Sequence, residues 1–160
     1  MSVIPEIAYE TVERKLRQRG KQIRKAQEAV ARARAKATDI SAPSGISGGG
    51  KGGLPGSRVE RGAMNIVRAE KRLENLLKWE EIFLAMDRIY PAEDSNEGFV
   101  ASMIYGNGMS QADLARFTGC SRQTIKMRQD RYVIRCAFMA AQAGLIREEV
   151  EKHGDADQKE

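Results

Sequence analysis

Between Ser41 and Ser57 the chain carries seven glycines and two prolines. No helix or strand tolerates that density, because glycine loses the most backbone freedom on ordering and proline lacks an amide donor. On both sides the composition reverses. Residues 7–37 and 58–90 contain no proline and are rich in Ala, Leu, Arg, Lys, Gln and Glu, the strong helix formers. The break predicts an all-α chain in four parts: a basic N-terminal helix (1–40), a flexible Gly/Pro/Ser linker (41–57), a helical domain (58–147) and an acidic disordered tail (148–160).

Within the linker, Gly45 to Lys51 spells GxxxxGK, the outline of a phosphate-binding loop. Such a loop needs a strand to deliver it, a hydroxyl after the lysine to hold magnesium, and a helix immediately behind. Gly52 stands where the hydroxyl belongs, the preceding "AVARARAKATDI" is not a strand sequence, and Gly52, Gly53, Pro55 and Gly56 suit no first helical turn. The segment reads as a hinge.

The 160 residues carry a net charge of +5, distributed unevenly. Residues 1–40 hold +5, 41–62 hold +2, 63–105 hold −3, 106–147 hold +5 and 148–160 hold −4. Positive charge concentrated beside a binding motif is the footprint of a polyanion partner. No run is long and apolar enough to span a bilayer and the start has no basic or apolar leader, so a cytoplasmic protein without a membrane role is expected. Cys120, Cys136 and a single histidine, His153, supply neither a disulfide framework nor a zinc set. No nucleophile with a histidine partner and no acidic cluster at metal-ligand spacing stands out, so no catalytic, cofactor or metal residues and no small-molecule substrate are expected.

From Ile7 to Ala37 one continuous helix is predicted. Its seam of Tyr9, Val12, Leu16, Arg19, Ile23, Ala26, Val30, Ala33 and Ala37 alternates spacings of three and four, as in a coiled coil or a docked helix. Arg19 interrupts the seam and Gly20 weakens the helix beside it. So little apolar area suggests a helix tethered by the linker or dependent on a partner surface, and the seam admits homo-oligomerisation. A second helix, capped by Ser57, should run to Tyr90 before Pro91. Its apolar face includes Ala63, Ile66, Val67, Leu73, Leu76, Leu77, Ile82, Phe83, Met86 and Ile89, with Trp79 near the edge. Asp94, Ser95 or Asn96 caps the short apolar helix "EGFVASMIY", and "GNG" ends it.

The informative segment is "MSQADLARFTGCSRQTIKMRQDRYVIRC". Ser110 caps one short helix, Gly119 lies where the chain reverses, and Ser121 caps the next. Leu114, Ala115, Cys120 and Ile125 are apolar and small enough to let the two helices cross steeply, which with Gly119 makes the core of a helix-turn-helix. Gly144 bends or ends the last helix. In such a unit the second helix lies in the major groove with its first residues toward the bases. Arg122, Gln123, Lys126 and Met127 face away from the hub and form the base-reading set. Among them Arg122 suits the paired acceptors of guanine and Gln123 suits adenine. Ser121, Thr124, Arg128 and, on the supporting helix, Gln111 suit phosphates, as does Lys126.

The stretch "FVASMIYGNGMSQADLARFTGCSRQTIKMRQDRYV" resembles region four of bacterial sigma factors, and more closely the phage late-gene transcription activators of the RinA and ArpU type. Ile104, Tyr105, Gly106 and Gly108 carry the likeness before the motif. Ser110, Leu114, Ala115, Ser121, Thr124 and Ile125 carry it within the motif. Thr118 and Arg128 stand where those families place aliphatic or large apolar residues. The resemblance implies double-stranded DNA as partner, at promoter regions, with contact to RNA polymerase. Two other readings stay open: a DNA-packaging subunit of the small terminase kind, and an antitermination factor whose arginine-rich first helix touches polymerase or nascent RNA.

Overall fold

Helix is the only regular structure in the computed structural model of the chain, which describes residues 5–39 and 55–146. The helices are α1 (Glu6–Arg17), α2 (Lys21–Asp39), α3 (Pro55–Ile89), α4 (Asn96–Ala101), α5 (Gln111–Thr118) and α6 (Arg122–Gln142). A π-helical turn, Ser102–Gly106, continues α4. Among the described residues no helix is long and apolar enough to cross a membrane. Residues 41–54 of the glycine-rich segment and the acidic segment 148–160 lie outside the described residues. Pro55, Gly56 and Ser57, expected as the end of the linker with Ser57 as a cap, are already the first turn of α3, where proline's fixed φ is accepted.

The continuous helix expected over residues 7–37 is two helices. The amides of Gln18 and Arg19 turn back to carbonyls three and four residues earlier, and Gly20 takes φ +74°, a left-handed conformation that ends α1. The residues read as interrupting and weakening the seam therefore form its break. Nor is α1 tethered loosely: Val12 and Leu16 are buried in the main core. Arg19, freed from the helix, reaches α3, where it donates two hydrogen bonds to Glu80 Oε1, at 2.9 and 3.0 Å, and pairs with Asp87 at 2.9 Å.

The chain forms two compact units: Met1–Arg19 with Lys78–Glu160, and Gly20–Leu77. This differs from the division expected at the linker, because α1 belongs with the C-terminal helices and the first part of α3 belongs with α2. In the Gly20–Leu77 unit, α2 and α3 form a hairpin. Ala26, Val30 and Leu76 are buried, Arg34 pairs with Glu70 at 2.6 Å, and a Cβ placed on Gly62 would lie only 3.8 Å from that of Ala37. The small seam residues of α2 thus give close helix contact rather than large buried area.

In the other unit, α1, α3 from Lys78 onward, α4 and α6 enclose a core built on Val12, Leu16, Trp79, Phe83, Met86 and Val133. Trp79 is at the centre of this core rather than at a face edge, and its indole Nε1 has no hydrogen-bond partner among the described residues. By contrast Val67, Leu77 and Ile89, expected on the apolar face of α3, are exposed. The buried stripe follows Leu76, Trp79, Phe83 and Met86, spacings of three and four that leave those three on other sides of the helix. Ser95 caps α4, accepting from the Gly98 amide at 3.2 Å. Gly98 has no alternative: a Cβ there would lie 2.0 Å from the Tyr90 carbonyl oxygen.

Candidate nucleic-acid interface

Ser110 Oγ accepts from the Asp113 amide at 3.1 Å and donates to the Asp113 carboxylate at 2.6 Å, fixing the start of α5. That hydrogen bond, with the neighbouring Arg116, holds the Asp113 carboxyl below its ordinary range. At the other end the Thr118 hydroxyl donates to the Leu114 carbonyl at 2.8 Å and also accepts from the Cys120 amide. A hydroxyl at this position thus closes the helix end with hydrogen bonds in place of aliphatic packing. Gly119 then turns the chain at φ +69°. Ser121 restarts it, its Oγ accepting from the Thr124 amide at 3.0 Å.

Beneath this corner Leu114 and Ile125 are 0% exposed and form a small second core with Val100 and Ile104. Ala115 and Cys120 are half-buried against it, whereas Gly119 itself is exposed at the corner. Arg122, Gln123, Lys126 and Met127 are all exposed, on the first two turns of α6. Lys126 pairs with Asp130 at 3.0 Å, an exposed i,i+4 bridge. Such bridges contribute only about 0.3–0.5 kcal/mol, so its ammonium is easily exchanged to another anion.

The residues assigned to phosphate divide. Ser121 is exposed and Thr124 partly so, their hydroxyls 2.9 Å apart at the mouth of α6. Gln111 and Arg128 are not gathered with them. Gln111 Nε2 donates to Gln129 Oε1 at 2.6 Å, and the half-buried Arg128 turns back toward the Cys120 sulfur, Nη1 to Sγ 3.9 Å.

The sequence did not disclose how α6 is braced. Gln129, only 2% exposed, donates to the Tyr105 hydroxyl and to Glu13 Oε1. Tyr105 in turn donates to Glu13, and its ring lies under Arg17, 5.5 Å from the guanidinium carbon. One turn along, the Tyr9 hydroxyl donates to Asp130 at 2.6 Å. Burial raises both tyrosine pKa values, and the Asp130 bond raises that of Tyr9 further. Two pairs of partners, Glu13 with Gln129 and Tyr9 with Asp130, therefore join α1 to α6 just after the exposed cluster. The available signal was Gln129 itself, a polar residue interrupting the inward spacing Ile125, Gln129, Tyr132, Val133, Cys136.

No protein-family model matches the chain, and no curated protein or solved structure matches it.

Proposed function

We propose that the chain is a sequence-specific double-stranded DNA-binding transcription regulator, with α5 and α6 as its helix-turn-helix. One observation carries this reading: a serine-capped helix presents Arg122, Gln123, Lys126 and Met127 to solvent while Leu114 and Ile125, beneath its first turns, are fully buried. That combination gives a capped helix start, packed from beneath, bearing side chains able to make bidentate contacts to guanine and adenine. The resemblance of residues 99–133 to RinA- and ArpU-type activators supports an activator of phage late genes working with host RNA polymerase. Arg122 and Gln123 read bases; Ser121 and Thr124 hold phosphates, with Lys126 available to either task.

The test is selection of duplexes bound by the full chain from a random pool, followed by footprinting of Arg122→Ala/Gln123→Ala on the recovered sequence. The double variant should lose about 1–3 kcal/mol for each good base contact and relax the preference. A footprint and helical content both unchanged would remove α6 as the reading helix. A second reading, a DNA-packaging subunit, draws on the exposed Val59, Met64 and Val67 of α3, which offer a surface for self-association. A closed ring of subunits in solution, with selection recovering packaging sequence rather than a promoter, would favour it.

A further inference from the structure

The charge of the two units is unequal in an unexpected direction. Among the described residues, the unit that carries α5 and α6 has twelve Lys and Arg against eleven Asp and Glu, nearly neutral. The α2–α3 hairpin, Gly20–Leu77, has eleven against five in far fewer residues. The surplus positive charge lies on the hairpin.

It is also organised there. Between α2 and α3 runs an open groove of about 540 Å³. Arg32 and Lys36 rim it from α2, Arg58 and Arg61 from α3, and no acidic residue lines it. All four cations are exposed. Lys36, Arg58 and Arg61 have no ion-pair partner among the described residues, and Arg32 has only an exposed bridge to Glu28 at 3.7 Å. The floor is Ala29, Ala33, Ala37 and Gly62, whose lack of bulk lets an extended chain approach the helix backbones. A pocket for an apolar small molecule would be lined by large hydrophobic and aromatic groups. Four exposed cations, three of them without an ion-pair partner among the described residues, over a small-residue floor suit a string of phosphates.

We propose that this groove is a second nucleic-acid contact, taking the sugar-phosphate backbone of duplex DNA without reading its sequence. The identity of the polyanion as DNA rests on the function proposed above; the groove and its charge do not. The hairpin supplies sequence-independent affinity and α6 supplies selectivity, the division of labour expected when backbone contacts position and base contacts specify.

The test uses the full chain and a labelled mixed-sequence duplex, with binding measured by fluorescence anisotropy across a salt series. A groove variant, Arg32→Gln/Lys36→Gln/Arg58→Gln/Arg61→Gln, is compared with a control of equal charge change outside the groove, Lys21→Gln/Arg24→Gln/Lys25→Gln/Arg72→Gln. Circular dichroism checks that both retain helix content. The groove variant should weaken binding and flatten the slope of log K against log salt by up to about 3.6, since each of the four lost phosphate contacts contributes about 0.9. The control should retain most of both. Equal loss in the two variants, or no loss in the groove variant, overturns the groove as a site. Groove-dependent binding that favours single-stranded RNA of equal length overturns DNA as its occupant. Failure of the reading helix has another signature: Arg122→Ala/Gln123→Ala leaves sequence preference unchanged while the groove variant still lowers affinity.

Discussion

The side-chain amide of Gln129 donates to the Tyr105 hydroxyl at 2.7 Å and to Glu13 at 3.1 Å, joining the middle of α6 to α1 and to the π-helical turn in one buried knot. A buried amide with three partners contributes mainly through what its loss leaves behind. Gln129→Leu should lower unfolding free energy by about 1–3 kcal/mol, the cost of stranding buried polar groups. Urea denaturation followed by circular dichroism measures this; an unchanged midpoint would mean the knot is not holding the helices together.

Two glycines separate backbone strain from steric exclusion. At Gly119 a side chain would meet nothing within 4 Å, and the whole cost lies in φ +69°. Gly119→Ala should therefore cost about 1–2 kcal/mol. Gly98 sits inside α4, where alanine is ordinarily favoured, yet its Cβ would collide with the Tyr90 carbonyl. Gly98→Ala should be the worse of the two, by more than about 2 kcal/mol, because backbone has to move. Thermal melts of both variants decide the order.

Alkaline pH should destabilise the fold. Burial pushes the Cys136 thiol from 9.0 up to about 12 and raises Tyr9, Tyr105 and Tyr132 above their ordinary 10.0. The unfolded chain therefore releases these protons first, and the stability held in full below pH 9 is lost as pH rises past it. Between pH 9 and 10.5, Cys136→Ala should lose less stability than the parent chain. The thiol's share of the slope approaches about 1.4 kcal/mol per pH unit. Parallel urea midpoints for the two proteins at each pH give the comparison.

Arg19 grips Glu80 with two nitrogens and Asp87 with a third while about a quarter exposed. Solvent screening keeps the value modest, and a double-mutant cycle on Arg19→Ala and Glu80→Ala should return about 1 kcal/mol of coupling. Arg19→Lys should recover little of it, since a single ammonium cannot reproduce the planar fork.

Local rules carried most of what the sequence disclosed. Ser110 and Ser121 were readable as caps because a hydroxyl before a helical run satisfies free amides, whereas Ser95 was one of three candidates with Asp94 and Asn96. Gly119 was readable as the corner because few residues accept its dihedral angles. Leu114 and Ile125 followed from spacing. What escaped depended on partners distant in sequence. Trp79 looked marginal on its own helix, and the core that covers it draws on α1, more than sixty residues earlier, and on α6, more than forty residues later. Gln111 and Arg128 looked free for phosphate until Gln129 and Cys120 supplied nearer partners. Gly20 was recognised as a weakness, but whether a weak point bends or breaks is decided by what Arg19 can reach, and Glu80 and Asp87 lie on another helix.

Val12 and Leu16 find their burial against residues beyond 78, whereas α2 and the first part of α3 are consecutive in sequence and belong to one unit. During synthesis the hairpin can therefore assemble while α1 still lacks most of its neighbours, and that apolar segment is fully covered only once α6 has left the ribosome. Ribosome-bound intermediates stalled before Tyr132 would carry the basic hairpin joined to an incompletely covered hydrophobic strip, the kind of surface chaperones bind.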